Sequence, residues 1–173
     1  MARPVVGKGA EDMEYRKLIE AFAATCGVES PDAKDGVAVF DIDGMTVGFV
    51  NDETSATIMV VAELGYPPPD ANGKFGEVML KSNYLYNGSN GAVLCMNPET
   101  SAYALMQTWA LDPLDVETFA KNVESFINNA EKWKDVLQGM RKAEAAKEDL
   151  DKTGGNDLPE DEGTFPSGSF LRV

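Results

Sequence analysis

The dipeptide Asp43-Gly44, set in the run Val37-Ala-Val-Phe-Asp-Ile-Asp-Gly-Met-Thr-Val-Gly-Phe-Val-Asn51, leaves this chain little local freedom. Asp-Gly is a preferred pair for a two-residue type I′ turn, because both central positions need positive φ and the turn's twist matches that of the joined strands. The turn sets a register. Ile42 falls opposite Met45, Phe40 opposite Val47 and Ala38 opposite Phe49, all on one apolar face. The other face carries Asp41 with Thr46, Val39 with Gly48 and Val37 with Val50. It is polar near the turn and apolar away from it, which is unusual for a simple solvent face.

The flanking segments follow from periodicity. Tyr15, Leu18, Ile19, Phe22 and Cys26 recur at helical steps, so Glu11–Cys26 is expected to be a helix with Gly27 at its C-cap. Ser55–Leu64 contains Ile58-Met-Val-Val-Ala62, a strand apolar on both sides and so needing cover on both, by helix, partner subunit or ligand. Lys74 to Tyr86 is read as a helix with Phe75, Val78, Met79, Ser82 and Leu85 on one face. A second hairpin, Ala92–Met96 and Ala102–Leu111, turns at Asn97-Pro-Glu-Thr100. A long helix then keeps its apolar period from Val116 through Phe119, Val123, Phe126, Ile127, Ala130, Trp133, Val136 and Leu137 to Met140. The order α-β-β-β-α-β-β-α, without βαβ crossovers, argues an α+β fold: an antiparallel sheet from two β segments with helices packed on it. The domain is expected over residues 1–140. Residues 141–173 form a charged helical extension and an acidic Gly-rich tail.

Composition removes whole classes of function. The 29 acids outnumber the 15 bases, for a net charge of −14 among 173 residues. Nucleic acid and anionic membrane need clustered Lys and Arg, so neither is an expected partner. Histidine is absent, which excludes Ser–His–Asp and Cys–His nucleophiles and histidine metal sites. Cys26 and Cys95 cannot make a disulfide framework; each is expected to be buried and structural, in a reducing compartment. The N-terminus lacks an apolar signal core, and no run approaches a membrane span. No metal ligand set or cofactor motif is evident, and Glu160-Asp-Glu162 lacks the spacing of a Ca²⁺ loop.

One catalytic pattern needs weighing. The strand ending Asp41-Ile-Asp43-Gly44 is similar to the nucleophile motif of haloacid-dehalogenase-type Mg²⁺-dependent phosphotransferases, with Asp41 as nucleophile and Asp43 as acid/base. The competing reading makes both residues parts of a tight turn. The complementary strand that follows, Met45 in place of the usual Thr or Val, and the lack of a parallel βαβ series all favour the turn. The chain is therefore not expected to be an enzyme. Apolar area beyond the needs of one small core remains, with eight methionines adding adaptable surface.

From residue 11 to about 140 the chain resembles the class I type III secretion chaperones of the Tir-chaperone (CesT-like) family. The resemblance rests on the order of elements and on Leu80-Lys-Ser-Asn-Tyr-Leu-Tyr-Asn-Gly-Ser-Asn-Gly-Ala-Val-Leu-Cys-Met-Asn-Pro-Glu-Thr100. Leu111-Asp-Pro-Leu-Asp115, followed by Phe119 and Phe126, supports it. It implies an ATP-independent homodimer in the bacterial cytoplasm. Such a chaperone binds the N-terminal region of a secreted effector, keeps it extended and soluble, and presents it for secretion, with the secretion ATPase a further partner. By position, Val37, Val39, Val50, Ile58 and Val60 would bind effector. Val78, Leu85, Tyr86, Leu94 and Met96 would form the dimer interface. An acidic adaptor of the same fold, unconnected with secretion, is the alternative. The terminal Phe165, Phe170, Leu171 and Val173 hang on an acidic linker and could seat in an effector-type groove.

Overall fold

The structure, a computed structural model, describes residues 8–28, 35–66 and 73–153. Their order is α1 (Lys8–Cys26), β1 (Val37–Ile42), β2 (Met45–Asp52), β3 (Thr57–Gly65), α2 (Lys74–Asn83), one 3₁₀ turn (Tyr84–Tyr86), β4 (Val93–Met96), β5 (Tyr103–Ala110) and α3 (Val116–Thr153). The strands pair antiparallel in one sheet, in the order β1-β2-β3-β5-β4. The α+β architecture is the one expected. Phe165, Phe170, Leu171 and Val173 lie outside the described residues.

The first hairpin has the register that its turn demands, Ile42 with Met45 through to Val37 with Val50. Asp43 and Gly44 take φ of 53° and 74°, and the Asp41 carboxylate accepts the Gly44 N–H at 3.0 Å. Alternation then sorts the side chains. Ala38, Phe40, Met45, Val47, Phe49, Ile58, Val60, Ala62 and Leu105 are buried on one side of the sheet. Tyr15, Leu18, Ile19 and Phe22 of α1 cover them, with Phe119, Val123, Phe126, Ile127 and Leu137 of α3. Phe22, Phe40, Phe49 and Phe119 meet edge to face or tilted, with ring centroids 5.2–5.9 Å apart. Trp109 closes the cluster against Phe119 and Phe126.

Two local expectations need correction. Cys26 is exposed, because α1 turns Phe22 and Ala23 to the core and its last turn runs past the packed layer. Leu85 does not continue the buried face of α2. The helix stops at Asn83, and Leu85 and Tyr86 take φ of 53° and 57°, which swings Leu85 outward to 70% exposure. α3 is one helix to Thr153, and beyond Met140 its described side chains are exposed.

Tyr15 ties α1 to the sheet. Its hydroxyl donates to the Phe49 carbonyl at 2.9 Å, and burial pushes its pKa up to about 12. A phenol that ionises near pH 10 unfolded and near 12 folded stabilises the fold fully below pH 10, and that contribution is lost as pH rises to 12. Tyr15→Phe is expected to cost about 1 kcal/mol at pH 8 and to flatten the stability loss between pH 10 and 12, read by urea unfolding at both ends.

Candidate functional site: an open sheet face with one free edge

Among the described residues, α1 and α3 pack on one face of the sheet. On the other, Val39, Gly48, Val61, Met106 and Val93 align across all five strands. Val37, Val50, Met59 and Thr108 form the next row. Val39 is 56% exposed, and Val50, Met59, Val61, Met106 and Val93 are half-buried by their neighbours alone. A Cβ at Gly48 would meet nothing within 4 Å, so the glycine leaves a notch between Val39 and Val61 whose floor is backbone. Asp41, Thr46 and Glu63 bound this apolar field with exposed polar groups.

The two sheet edges differ. A two-residue turn closes on a hydrogen-bonded pair, here Ile42 and Met45, and the Asn51 N–H donates to the Gly36 carbonyl at 2.8 Å in the same phase. Val37, Val39 and Asp41 therefore direct their N–H and C=O groups away from β2, along an edge with no strand beside it among the described residues. At the opposite edge, Asn83 takes the place of a strand. Its Oδ1 accepts the Leu94 N–H and its Nδ2 donates to the Leu94 carbonyl, each at 2.9 Å. Asn83 thus caps the outward peptide groups of Leu94 on β4, and among the described residues β1 has no such cap. Beside β1 on the helix side lies a groove of about 300 Å³, lined by Phe22, Cys26, Ile42, Val123 and Ile127, and by the carboxylates Asp43, Glu124 and Glu131.

A second apolar surface surrounds α2. Leu80, Tyr84, Leu85, Tyr86 and Met96 are between 53% and 74% exposed. The turn that displays them is anchored from both sides, by Asn83 on Leu94 and by the Asn129 amide donating to the Ser89 carbonyl at 2.8 Å. Gly88 packs against Ser82, where a Cβ would come within 2.7 Å.

The residues expected from the sequence divide accordingly. Val37, Val39 and Val50 meet on the open face, whereas Ile58 and Val60 lie on the opposite face, wholly buried under the helices. Phe49 pairs with Val60 and is itself a core residue, so the odd-numbered Met59 and Val61 are the ones on the open side. Around α2, Leu85, Tyr86 and Met96 are exposed together, Val78 is half-buried and Leu94 is buried in the core. Leu80 and Tyr84 join that surface without having been expected in it. Leu80 stands out of phase with Phe75 and Met79, and a leucine off the buried period is the signal that points to it.

Asp41 and Asp43 belong to the turn. The antiparallel sheet supplies no parallel scaffold for phosphotransfer, and Asp41 already accepts the turn's Gly44 N–H. Among the described residues, no three acidic or cysteine side chains are grouped to hold a metal ion, and no helix is long and apolar enough to cross a membrane. Burial raises the Cys95 thiol pKa, which keeps it protonated and inert.

The domain is a small α+β fold with helices packed on one sheet face and apolar residues on the other. Residues 17–134 match the Tir chaperone protein (CesT) family, and the chain belongs to that family. No curated protein sequence matches it significantly. Its fold is similar to a chain of the ExsC–ExsE complex (TM-score 0.62, 18% identity, 73% of this chain and 95% of that one). It is similar also to a chain of the HopA1–SchA chaperone–effector complex (TM-score 0.57, 16% identity, 77% and 97%). YbjN from E. coli shares the fold more distantly (TM-score 0.50, 15% identity, 76% and 92%).

Proposed function

We propose that this protein is a type III secretion chaperone that holds an extended segment of a secreted effector on the open face and β1 edge of its sheet. One observation carries the reading: an apolar row, exposed at Val39 and half-buried beyond it, crosses the sheet beside a strand edge whose peptide groups point outward. The matched chaperone–effector complex supports it. An extended segment laid along β1 gains main-chain hydrogen bonds from Val37, Val39 and Asp41, and alternate side chains seat on Val39 and in the Gly48 notch. The ordering entropy of the segment is offset by contact area, so no nucleotide is needed. The net charge of −14 keeps an apolar-faced protein soluble and draws in basic effector segments. The working place is the bacterial cytoplasm, with the secretion ATPase as the later partner.

The protein acts as a homodimer in this reading, joined through Leu80, Tyr84, Leu85, Tyr86 and Met96. Leu85→Glu together with Tyr86→Glu replaces exposed side chains, so folding is expected to survive while self-association weakens at least about tenfold. Analytical ultracentrifugation across the micromolar range reads this, and an unchanged mass distribution removes the interface.

Co-expression with the N-terminal regions of secreted proteins from the same genome tests the function. The expected result is a co-purified complex in which the effector region resists proteolysis only where it lies on the chaperone. Capture of a partner already folded before binding would instead identify the adaptor of the same fold.

A further inference from the structure

We infer that the segment 165–173 of this same chain adds to the β1 edge when no effector is bound, as a displaceable internal competitor. The inference rests on the reading of that edge as the effector site. α3 borders the β1–β2 turn, where Glu131, Lys134, Asp135 and Gln138 line a cleft with Asp43 and Met45. From Gln138 to Thr153 the helix runs about 22 Å. Residues 154–164 can span up to about 36 Å when extended, so the chain can return to the turn. Nine residues then remain, against a β1 strand of 6 residues about 20 Å long. A segment arriving at the Ile42 end runs antiparallel to β1, the pairing the rest of the sheet already uses.

Composition favours the match. Asp157, Glu160, Asp161 and Glu162 make the connecting stretch acidic, which keeps it off an acidic body. After Glu162 the sign changes: residues 163–173 contain no acid and one base, Arg172. The edge they would meet carries exposed Asp35, Asp41 and Asp43. Leu171 and Val173 alternate to one side of an extended segment and Phe170 to the other, so they suit the open face on one side and the Phe22–Ile42 groove on the other. Tethering makes the competitor local, and an effector with a longer apolar contact displaces it.

The test is amide hydrogen exchange by NMR on the full chain and on full-length Phe170→Asp/Leu171→Asp. The edge-facing amides of Val37, Val39 and Asp41 are expected to exchange at least about tenfold faster in the variant, while Ala38 and Phe40, bonded to β2, do not change. Equal rates at the edge amides overturn the inference. Protection that grows with protein concentration also overturns it, since the occupant is then a second copy. If the edge amides are unaffected while Val39→Asp still abolishes effector capture, only the internal competitor falls. If Val39→Asp leaves capture intact, the underlying reading of the edge falls too.

Discussion

A chain carrying Val39→Asp is expected to fold like the parent and to bind an effector segment roughly a hundredfold more weakly, which is about 2.8 kcal/mol. Val39 is 56% exposed and carries no core packing, so the substitution costs stability only through strand preference, on the order of 1 kcal/mol or less. In the complex the same position would lie under a foreign strand. A carboxylate there either loses its water or keeps the segment away, and next to Asp41 on the same face it adds like-charge repulsion. Val39→Thr, of nearly the same shape, is expected to lose affinity by a smaller factor. Isothermal titration with a co-purifying effector segment measures both, and circular dichroism melts check the fold. Undiminished affinity in Val39→Asp would sink the open-face reading.

Phe49→Ala is expected to produce the opposite separation: about 3–5 kcal/mol of stability lost, with binding impaired only because the fold is. Phe49 is fully buried, and its ring meets Phe22, Phe40 and Phe119 at 5.9, 5.4 and 5.5 Å. Its removal leaves a void shared by α1, α3 and two strands, which cannot all close in together because the sheet register holds them apart. Domains of this size are commonly stable by only about 5–15 kcal/mol, so the loss is a large share of the total. Urea unfolding at pH 8 reads it as a lower midpoint with an unchanged slope. A loss below about 1 kcal/mol would mean that the aromatic cluster is not the centre of the core.

The two variants together separate the faces of one sheet. Positions 38, 40, 47, 49, 58, 60 and 62 serve the fold, and positions 37, 39, 48, 50, 59 and 61 are free to serve a partner. In β1 and β2 the assignment is legible from the amino-acid order, because the Asp43-Gly44 turn sets the phase of both strands within a few residues. In β3 it is not. Ile58 to Ala62 is apolar at every position, so periodicity offers no way to choose between Ile58 and Val60 on one side and Met59 and Val61 on the other. The choice is made by pairing, Phe49 with Val60, which is a contact between strands.

The same division explains the margin around α2. Helical spacing puts Leu85 with Phe75 and Met79, as it would be if the helix continued. Asn83 ends the helix by committing its side-chain amide to Leu94, eleven residues on, and the chain beyond it turns outward. Cys26 likewise keeps the period of α1 but overruns the layer that would have buried it.

What the amino-acid order determined alone was the hairpin and its register, the helical periods, the order of elements and the net charge of −14. What tertiary structure decided was which of two apolar sides each helix covers, where a helix stops, and which sheet edge stays open. Turn geometry and helical period act over a few residues, whereas burial depends on which distant segment arrives to exclude water.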